Sequence, residues 1–236
     1  MVANDIPDHD LEESTRERLI TAAEGLIASR GIDGVSVREI TRAAGANAAA
    51  VHYHFASKSG LVAEILHRRM VELAERRDRL IDEWEATKGQ LEVRDVVEAY
   101  AFPLLEWAFD TTGLLNQRLR FLSQVFSYPG PAQQSMRDEF VPQRRRLHHL
   151  LHVALPDLPR PLVHFRMLLA FDTIIQHLSN LAWSMTPWSE VGPPPDQQDF
   201  VESLIDAVSG MLTAPITAGS GGAFARSGNR ESPNQE

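Results

Sequence analysis

Apolar residues recur at helical spacing along most of the chain. In residues 14–30, positions three and four apart form one stripe of Leu19, Ala22, Ala23, Leu26 and Ile27. Ser14 and Glu17 form a capping-box pattern at the start of this segment, and Gly31 is a plausible stop. The same reasoning predicts further helices over residues 37–44, 48–54, 58–85, 95–109, 114–127, 133–153, 160–185 and 197–213. No run of alternating β-branched residues indicates a strand, so the predicted fold class is all-α with about nine helices.

The two ends and one internal proline interrupt this pattern. Residues 1–13 hold five acids and no Lys or Arg, and we expect them to form a disordered acidic arm. Residues 214–236 are rich in Gly, Ser, Pro and Ala. Such a segment cannot bury enough apolar surface to offset its ordering entropy, so we expect a disordered tail. Pro103 is expected to kink or split the helix over residues 95–109.

Two of the predicted helices are short and closely spaced. Residues 37–44, which open with a second capping box of Ser36 and Glu39, are joined to residues 48–54 by the turn Gly45-Ala46-Asn47. Two short helices joined by a Gly-containing turn of three or four residues are typical of a helix-turn-helix, whose second helix enters the DNA major groove. The residues expected to form its small core are Ile32, Val35, Val37, Ile40, Ala43, Ala44, Val51 and Phe55.

The distribution of charge supports this interpretation only when it is examined by segment. The whole chain has 23 Lys+Arg against 32 Asp+Glu, a net charge of −9 that argues against a nucleic-acid partner. Residues 14–79, however, hold 11 Lys+Arg and 8 Asp+Glu, so this segment is +3 and the remainder is −12. The candidate reading helix itself carries no Lys or Arg. The asymmetry nevertheless favours DNA binding by the N-terminal part.

Composition and motifs exclude several other classes of function. The absence of cysteine removes disulfides, thiol nucleophiles and cysteine-based metal sites. There is no glycine-rich phosphate loop, GxSxG motif or paired-carboxylate signature, so we expect neither an enzyme nor a cofactor. His148 and His152 have zinc-compatible i,i+4 spacing, but they lack a further ligand nearby in sequence, and we expect a solvated basic face and no metal. Polar residues interrupt the apolar stretch 162–185, which excludes a membrane span, and we expect a cytoplasmic location.

The stretch from Arg18 to Leu66 contains a series of short motifs at fixed spacing: Ala22-Ala23, Arg30-Gly31, Ser36-Val37-Arg38-Glu39-Ile40, Ala44-Gly45, Val51-x-Tyr53-His54-Phe55 and Ser57-Lys58-x-x-Leu61. In these motifs the stretch resembles the N-terminal DNA-binding domain of TetR-family (tetracycline-repressor-like) transcriptional regulators. The resemblance implies a helix-turn-helix DNA-binding domain over residues 14–60. It implies an effector-binding and dimerisation domain, also helical, over residues 61–213.

The resemblance also indicates which residues contact DNA. These are Ser36, Val37, Arg38, Asn47, Ala48, Ala49, Ala50, His52, Tyr53, His54 and Lys58. Tyr53, His54 and Lys58 are expected at phosphates, and the small alanines let the backbone approach the bases and touch thymine methyls. This chain departs from the family pattern at Ala50, where several relatives have a hydroxyl residue.

The C-terminal part offers candidates for an effector pocket and a homodimer interface. The pocket candidates are Trp107, Arg120, Phe121, Gln124, Asp172, Gln176, His177 and Asn180. The interface candidates are Val201, Leu204, Ile205, Val208, Met211 and Leu212. The C-terminal pattern, including Ala154-Leu-Pro-Asp-Leu158 before a long apolar helix, loosely resembles the subgroup of the family that includes regulators of fatty-acid metabolism, which suggests a hydrophobic or acyl-type effector.

The function predicted from the sequence is therefore that of a ligand-responsive transcriptional repressor. A homodimer would place two reading helices about 34 Å apart on a pseudo-palindromic double-stranded DNA operator. A small-molecule effector would release it, with the helix over residues 58–85 as the lever, and no membrane is involved. The alternative is an architectural or adaptor DNA-binding protein without ligand control. An all-α enzyme is a further rival, and the missing motifs disfavour it.

Overall fold

The computed structural model describes residues 8–127, 141–184, 192–193 and 195–216, and within these ranges every regular element is a helix. The helices are α1 (Asp8–Arg30), α2 (Val37–Ala43), α3 (Ala50–Phe55), α4 (Lys58–Lys88), α5 (Val93–Ala108), α6 (Leu114–Phe126), α7 (Val141–Ala154), α8 (Arg160–Ser179), α9 (Leu181–Ser184) and α10 (Gln197–Thr213). Nine of these described helices have six or more residues, and the all-α prediction is confirmed.

Several predicted boundaries differ from the observed ones. Helix α1 begins at Asp8, so residues 8–13 of the predicted arm are helical and Ser14 is not a cap. Residues 1–7, 128–140 and 217–236 lie outside the described part of the chain, and they include most of the predicted tail.

Helix α5 passes through Pro103 as one continuous element, so of the predicted kink or split the split is wrong and the kink stays a prediction. Proline removes one backbone donor from a helix. Leu104 and Trp107, on the C-terminal side of Pro103, are fully buried, and we attribute the continuity of α5 to this burial. Tertiary packing thus overrides the local preference. The predicted single helix over residues 160–185 is instead interrupted at Asn180, between α8 and α9.

The chain divides into two compact units. Unit 1 is drawn from Met1–Arg76, Pro103–Pro142 and Ile175–Leu181, and unit 2 from Arg77–Phe102, Gln143–Ile174 and Ala182–Glu236. Helix α4 therefore contributes residues to both. The predicted boundary between the DNA-binding domain and the effector domain, at residues 60 and 61, is a boundary between functions. The division into packing units does not test it, and it stays a prediction.

The core of unit 1 is built where α1 packs against α6 and α2. Leu19, Ala23 and Ile27 of the predicted stripe are fully buried, as are Leu119 and Phe121 of α6. The 3.6-residue period of α1 thus places its apolar face in the core, as predicted.

Ion pairs in unit 1 tie α1, α4 and α6 together. Arg69 of α4 donates from Nε and Nη2 to the two carboxylate oxygens of Glu24 of α1, at 2.7 and 2.9 Å. Arg118 of α6 donates to Glu72 of α4 at 3.0 Å. Because Glu24 is only 4% exposed, its charge depends on this bidentate partner, and the pair fixes α1 against α4.

Unit 2 has its own apolar core from α4, α5, α7, α8 and α10. Its fully buried members include Ile81, Val97, Leu151, Val163 and Val208. Among the described residues, no helix is long and apolar enough to cross a membrane.

Candidate DNA-binding site

Helix α2 starts with the predicted capping box. Ser36 adopts extended backbone angles and its Oγ accepts from the Glu39 N–H at 3.3 Å, while Ser36 N–H donates to Glu39 Oε2 at 2.8 Å. The Ser36 hydroxyl donates to the same carboxylate at 2.7 Å, and Arg30 donates to its other oxygen at 2.8 Å. These hydrogen bonds, with those from Ser36 the strongest, lower the pKa of Glu39 to about 2. The hydroxyl proton of Ser36 is thus donated to the Glu39 carboxylate. Ser36 could donate to a DNA phosphate only if it gave up this hydrogen bond.

The turn between α2 and α3 is held by backbone and side-chain hydrogen bonds. Gly45 has φ +60°, a conformation that glycine adopts without steric cost. Ala46 N–H donates to Thr41 O at 2.9 Å, and Asn47 Oδ1 accepts from Ala49 N–H at 3.0 Å. This local bond competes with helix formation, so α3 begins at Ala50 and not at the predicted residue 48.

Helix α3 buries one face and exposes the other. Val51 and Phe55 are buried in unit 1, whereas Tyr53 is 71% exposed and His52 is also exposed. His52 Nδ1 lies 2.7 Å from Ala56 O. A carbonyl can only accept, so Nδ1 carries a proton in this contact, and the exposed ring leaves Nε2 available to a base edge or a phosphate.

The other predicted positions divide by exposure. Arg38, Asn47, Ala48 and Ala49 are also exposed, while Val37, Ala50, His54 and Lys58 are half-buried. Of the predicted core, Val35, Ile40, Ala44, Val51 and Phe55 are buried. Ile32 and Val37 are half-buried, and Ala43 is exposed, so its core assignment is wrong.

Lys58, predicted at a phosphate, has a structural contact within the protein. Its Nζ donates to Ile32 O, which ties the start of α4 to the segment between α1 and α2. An ammonium has three donors. A phosphate contact by Lys58 would therefore use the two that remain.

The arginines of this region fall into two groups. Arg16, Arg30, Arg68 and Arg69 form ion pairs with carboxylates of unit 1.

Arg38 and Arg42 differ from that group. Both are exposed, and neither has a carboxylate within ion-pair distance in the described part of the chain. They are four residues apart on α2 and therefore share a face. The sequence analysis missed Arg42, although its i,i+4 spacing from Arg38 was a usable signal.

The junction of α3 and α4 is tightly packed. Ala56 has φ +62°, which is strained for a residue with a side chain. A Cβ at Gly60 would lie 2.1 Å from the Phe55 carbonyl oxygen, so only glycine fits there. Gly60 was not singled out from the sequence. Its bare backbone allows α4 to start directly beside the end of the candidate reading helix.

The predicted effector-pocket residues do not share one environment. Trp107 and Phe121 are fully buried in unit 1, and the Trp107 indole N–H has no hydrogen-bond partner among the described residues. Gln176 is half-buried and bonded to Ser123 at 3.0 Å and to Ser127 at 3.2 Å. The exposed members of the set are Arg120, Gln124, Asp172, His177 and Asn180.

Unit 2 contains a cleft of about 630 Å³, and none of these residues lines it. It is lined by residues 90–94, Ala154, Leu155, Ser209 and Thr213. Its one cation, Arg94, is ion-paired with Glu98, Glu202 and Asp206. Within the described ranges, no group of three or more His, Asp or Glu side chains could hold a metal ion.

Comparisons with known proteins agree with this architecture. Residues 19–65 match the model of bacterial regulatory proteins of the tetR family, and residues 98–211 match that of the tetracyclin repressor-like C-terminal domain. The HTH-type transcriptional repressor KstR2 of Mycobacterium tuberculosis is 24% identical over 207 residues, which cover 85% of this chain and 94% of KstR2.

Two solved structures have a similar fold. FadR from Bacillus subtilis, in complex with stearoyl-CoA, superposes with a TM-score of 0.59 at 16% identity, covering 85% of this chain and 99% of FadR. A transcriptional regulator from Rhodococcus sp. Rha1 superposes with a TM-score of 0.56 at 22% sequence identity, covering 84% of this chain and 95% of the regulator. Since two models of one family match successive parts of the sequence, and the observed fold agrees with both, the chain belongs to the TetR family of bacterial transcriptional regulators.

Proposed function

We propose that this protein is a repressor that binds a specific DNA operator through α2 and α3 and leaves it when a small molecule binds elsewhere in the chain. The observation that carries the proposal is the exposed face of α3 beside two arginines of α2, Arg38 and Arg42, whose charges no carboxylate neutralises among the described residues. Exposed base-reading side chains and uncompensated cations are what a DNA-binding surface requires. Such a repressor would act in the cytoplasm.

Selection of bound fragments from genomic DNA tests this proposal directly. We expect a single enriched sequence with two half-sites about one helical turn apart, because a two-fold dimer imposes that spacing. Binding to all fragments with equal affinity would contradict it and favour an architectural protein.

We further propose that the operator-binding form is a homodimer, as expected for this family, and that α8 provides much of its interface. Of the predicted set, Leu204, Ile205, Val208 and Leu212 are at most 9% exposed within one chain. Only Met211, at 37%, is exposed, and Val201 is half-buried. The helical period that identified these residues is explained mainly by packing within the subunit.

Three of the exposed apolar side chains of unit 2 lie together on α8. Phe165, Leu168 and Leu169 are 48%, 45% and 47% exposed, and their i,i+3,i+4 spacing places them on one face. An apolar face of this kind is typical of an association surface.

The matched test uses Leu168→Glu/Leu169→Glu with Val153→Glu as control, since Val153 is 40% exposed on α7. We expect a monomer mass by light scattering for the first variant and a dimer mass for the control. A dimer mass in both would exclude α8.

The proposed effector is a hydrophobic or acyl-type molecule. The chain resembles FadR, a structure solved with stearoyl-CoA, in fold, and KstR2 in sequence. To cause release, such a molecule must bind the DNA-free conformer more tightly than the operator-bound one. We propose residues 14–60 as the DNA-binding domain and 61–213 as the effector and dimer domain, with α4 transmitting the change.

Release of a labelled operator by fatty acids and acyl-CoAs, followed by fluorescence anisotropy, tests the effector class. We expect at least one of them to release the DNA. Release by none would favour the alternative, a DNA-binding protein without ligand control.

A further inference from the structure

Arg77 of α4 is a buried cation with no counter-ion in the part of the chain that the structure describes. It is 4% exposed, and no carboxylate of the described chain lies within ion-pair distance. Its Nε donates to the Tyr100 carbonyl oxygen at 3.3 Å. The Tyr100 side chain and the Asp78 carboxylate also act favourably on the cation, but neither forms an ion pair with it. The guanidinium fork, with its five N–H donors, thus has no anionic partner within ion-pair distance among the described residues.

Aromatic rings from two other helices of unit 2 hold the guanidinium in place. The ring of Tyr100 on α5 lies 3.9 Å from it, and the ring of Phe171 on α8 stacks on the other side of Tyr100 with centroids 3.7 Å apart. Three helices thus position one guanidinium in apolar surroundings.

The nearby polar groups offset only part of the cost of burying this charge, because burial has the largest effect on the pKa of Arg77 and lowers it. Asp78 accepts from Arg146 at 2.9 Å, and Asp172 is exposed to solvent. Burial raises the pKa of the Tyr100 phenol, which therefore stays neutral. Burial also lowers the pKa of Arg77, which reflects the free-energy cost of keeping an unpaired cation there.

Two other arginines of unit 2 show the contrast. Arg94 and Arg146 are more exposed, and each has three carboxylate partners. The more deeply buried arginine is thus the one without an anion. A buried charge without a partner in the protein is expected where a ligand supplies the partner.

We propose that Arg77 pairs with an oxyanion at the end of an otherwise apolar effector. The fork geometry of a guanidinium matches both a carboxylate and a phosphate, and the surrounding rings favour an apolar body. This inference rests on the proposed function, because it names the chemistry of the effector.

Three probes with the same ten-carbon chain separate the sources of the charge: decanoate, decyl phosphate and decan-1-ol. Binding to the full-length protein is measured by titration calorimetry in the absence of DNA. The test variant is Arg77→Met, which removes the charge but keeps apolar length. The matched control is Arg79→Met, because Arg79 is exposed on the same helix.

We expect one or both anions to bind wild-type protein about tenfold or more tightly than the alcohol, since charge-assisted bidentate bonds are the strong ones. Arg77→Met should lose that preference and still bind the alcohol, while Arg79→Met keeps it. If decanoate alone shows the preference, the head group is a carboxylate, and if decyl phosphate alone shows it, a phosphate.

Equal affinity for the three probes, no binding of either anion, or a preference that survives in Arg77→Met would overturn the proposal. If Arg77→Met does not fold, Arg77→Gln replaces it, since Gln keeps donors without the charge. Operator binding is scored separately. If the protein binds the operator but shows no preference for the anions, only this inference is refuted. If it binds the anions but no operator, only the proposed function is refuted.

Discussion

The double substitution Arg38→Gln/Arg42→Gln tests whether the face of α2 contacts DNA phosphates. Both side chains are exposed and have no carboxylate partner in the described structure, so their removal breaks no ion pair. The change should therefore alter stability by no more than about 0.5 kcal/mol. Any large effect on DNA binding would come from the interface itself.

The expected magnitude follows from counterion release. A dimer would carry four of these arginines, and each phosphate neutralised on B-DNA contributes about 0.9 to the slope of log K against log salt concentration. The double variant should thus lose up to about 3.6 from the slope if all four contact phosphates. Between 50 and 200 mM salt, the wild-type affinity should then fall by about two orders of magnitude more than that of the variant.

Fluorescence anisotropy with a labelled duplex from the fragment selection measures the slope across this salt range. Arg145→Gln is the matched control, because Arg145 is an exposed arginine on α7 of unit 2. An unchanged slope in the double variant, or an equal loss in the control, would refute phosphate contact by α2.

Four further predictions concern stability: three lie in the DNA-binding part, and one, at Gly210, lies on α10 of unit 2. Gly60→Ala should destabilise it by about 1–3 kcal/mol, because the new Cβ would lie 2.1 Å from the Phe55 carbonyl oxygen. Gly210→Ala, with nothing within 4 Å, should raise the thermal midpoint, and a lower midpoint there would contradict the helix-propensity argument. Ala56→Gly should stabilise by up to about 1 kcal/mol because it relieves a strained φ of +62°, and urea denaturation measures the change. The pKa of Glu39, lowered to about 2, means that its stabilisation is complete above about pH 4.5 and is lost as pH falls toward 2. Glu39→Gln should remove that pH dependence, and an unchanged acid titration would count against the capping box.

Local patterns succeeded where local physics decides the structure. The capping box of Ser36 and Glu39 is present with both bonds, because its partners are three residues apart on one turn. The buried stripe of α1 followed from its 3.6-residue period.

The same patterns were insufficient where a competing hydrogen bond, or residues distant in sequence, determine the local structure. The start of α3 moved by two residues because Asn47 bonds Ala49 N–H, and α5 continues through Pro103 within a buried core. Periodicity predicted the apolar face of α10 but could not show that Leu204 and Val208 pack inside their own subunit.

The sequence by itself determined the all-α class, the short helix pair with its glycine turn, and the family, since these depend on spacing and residue type. Only the tertiary structure decided which charges remain available. Among the described residues, Arg42 has no carboxylate partner while Arg68 and Arg69 are paired with glutamates of α1, and Arg77 is buried against the ring of Tyr100 without a carboxylate counter-ion. The reason is physical: ion pairing and desolvation depend on groups dozens of residues apart in sequence, which come together only when the helices pack.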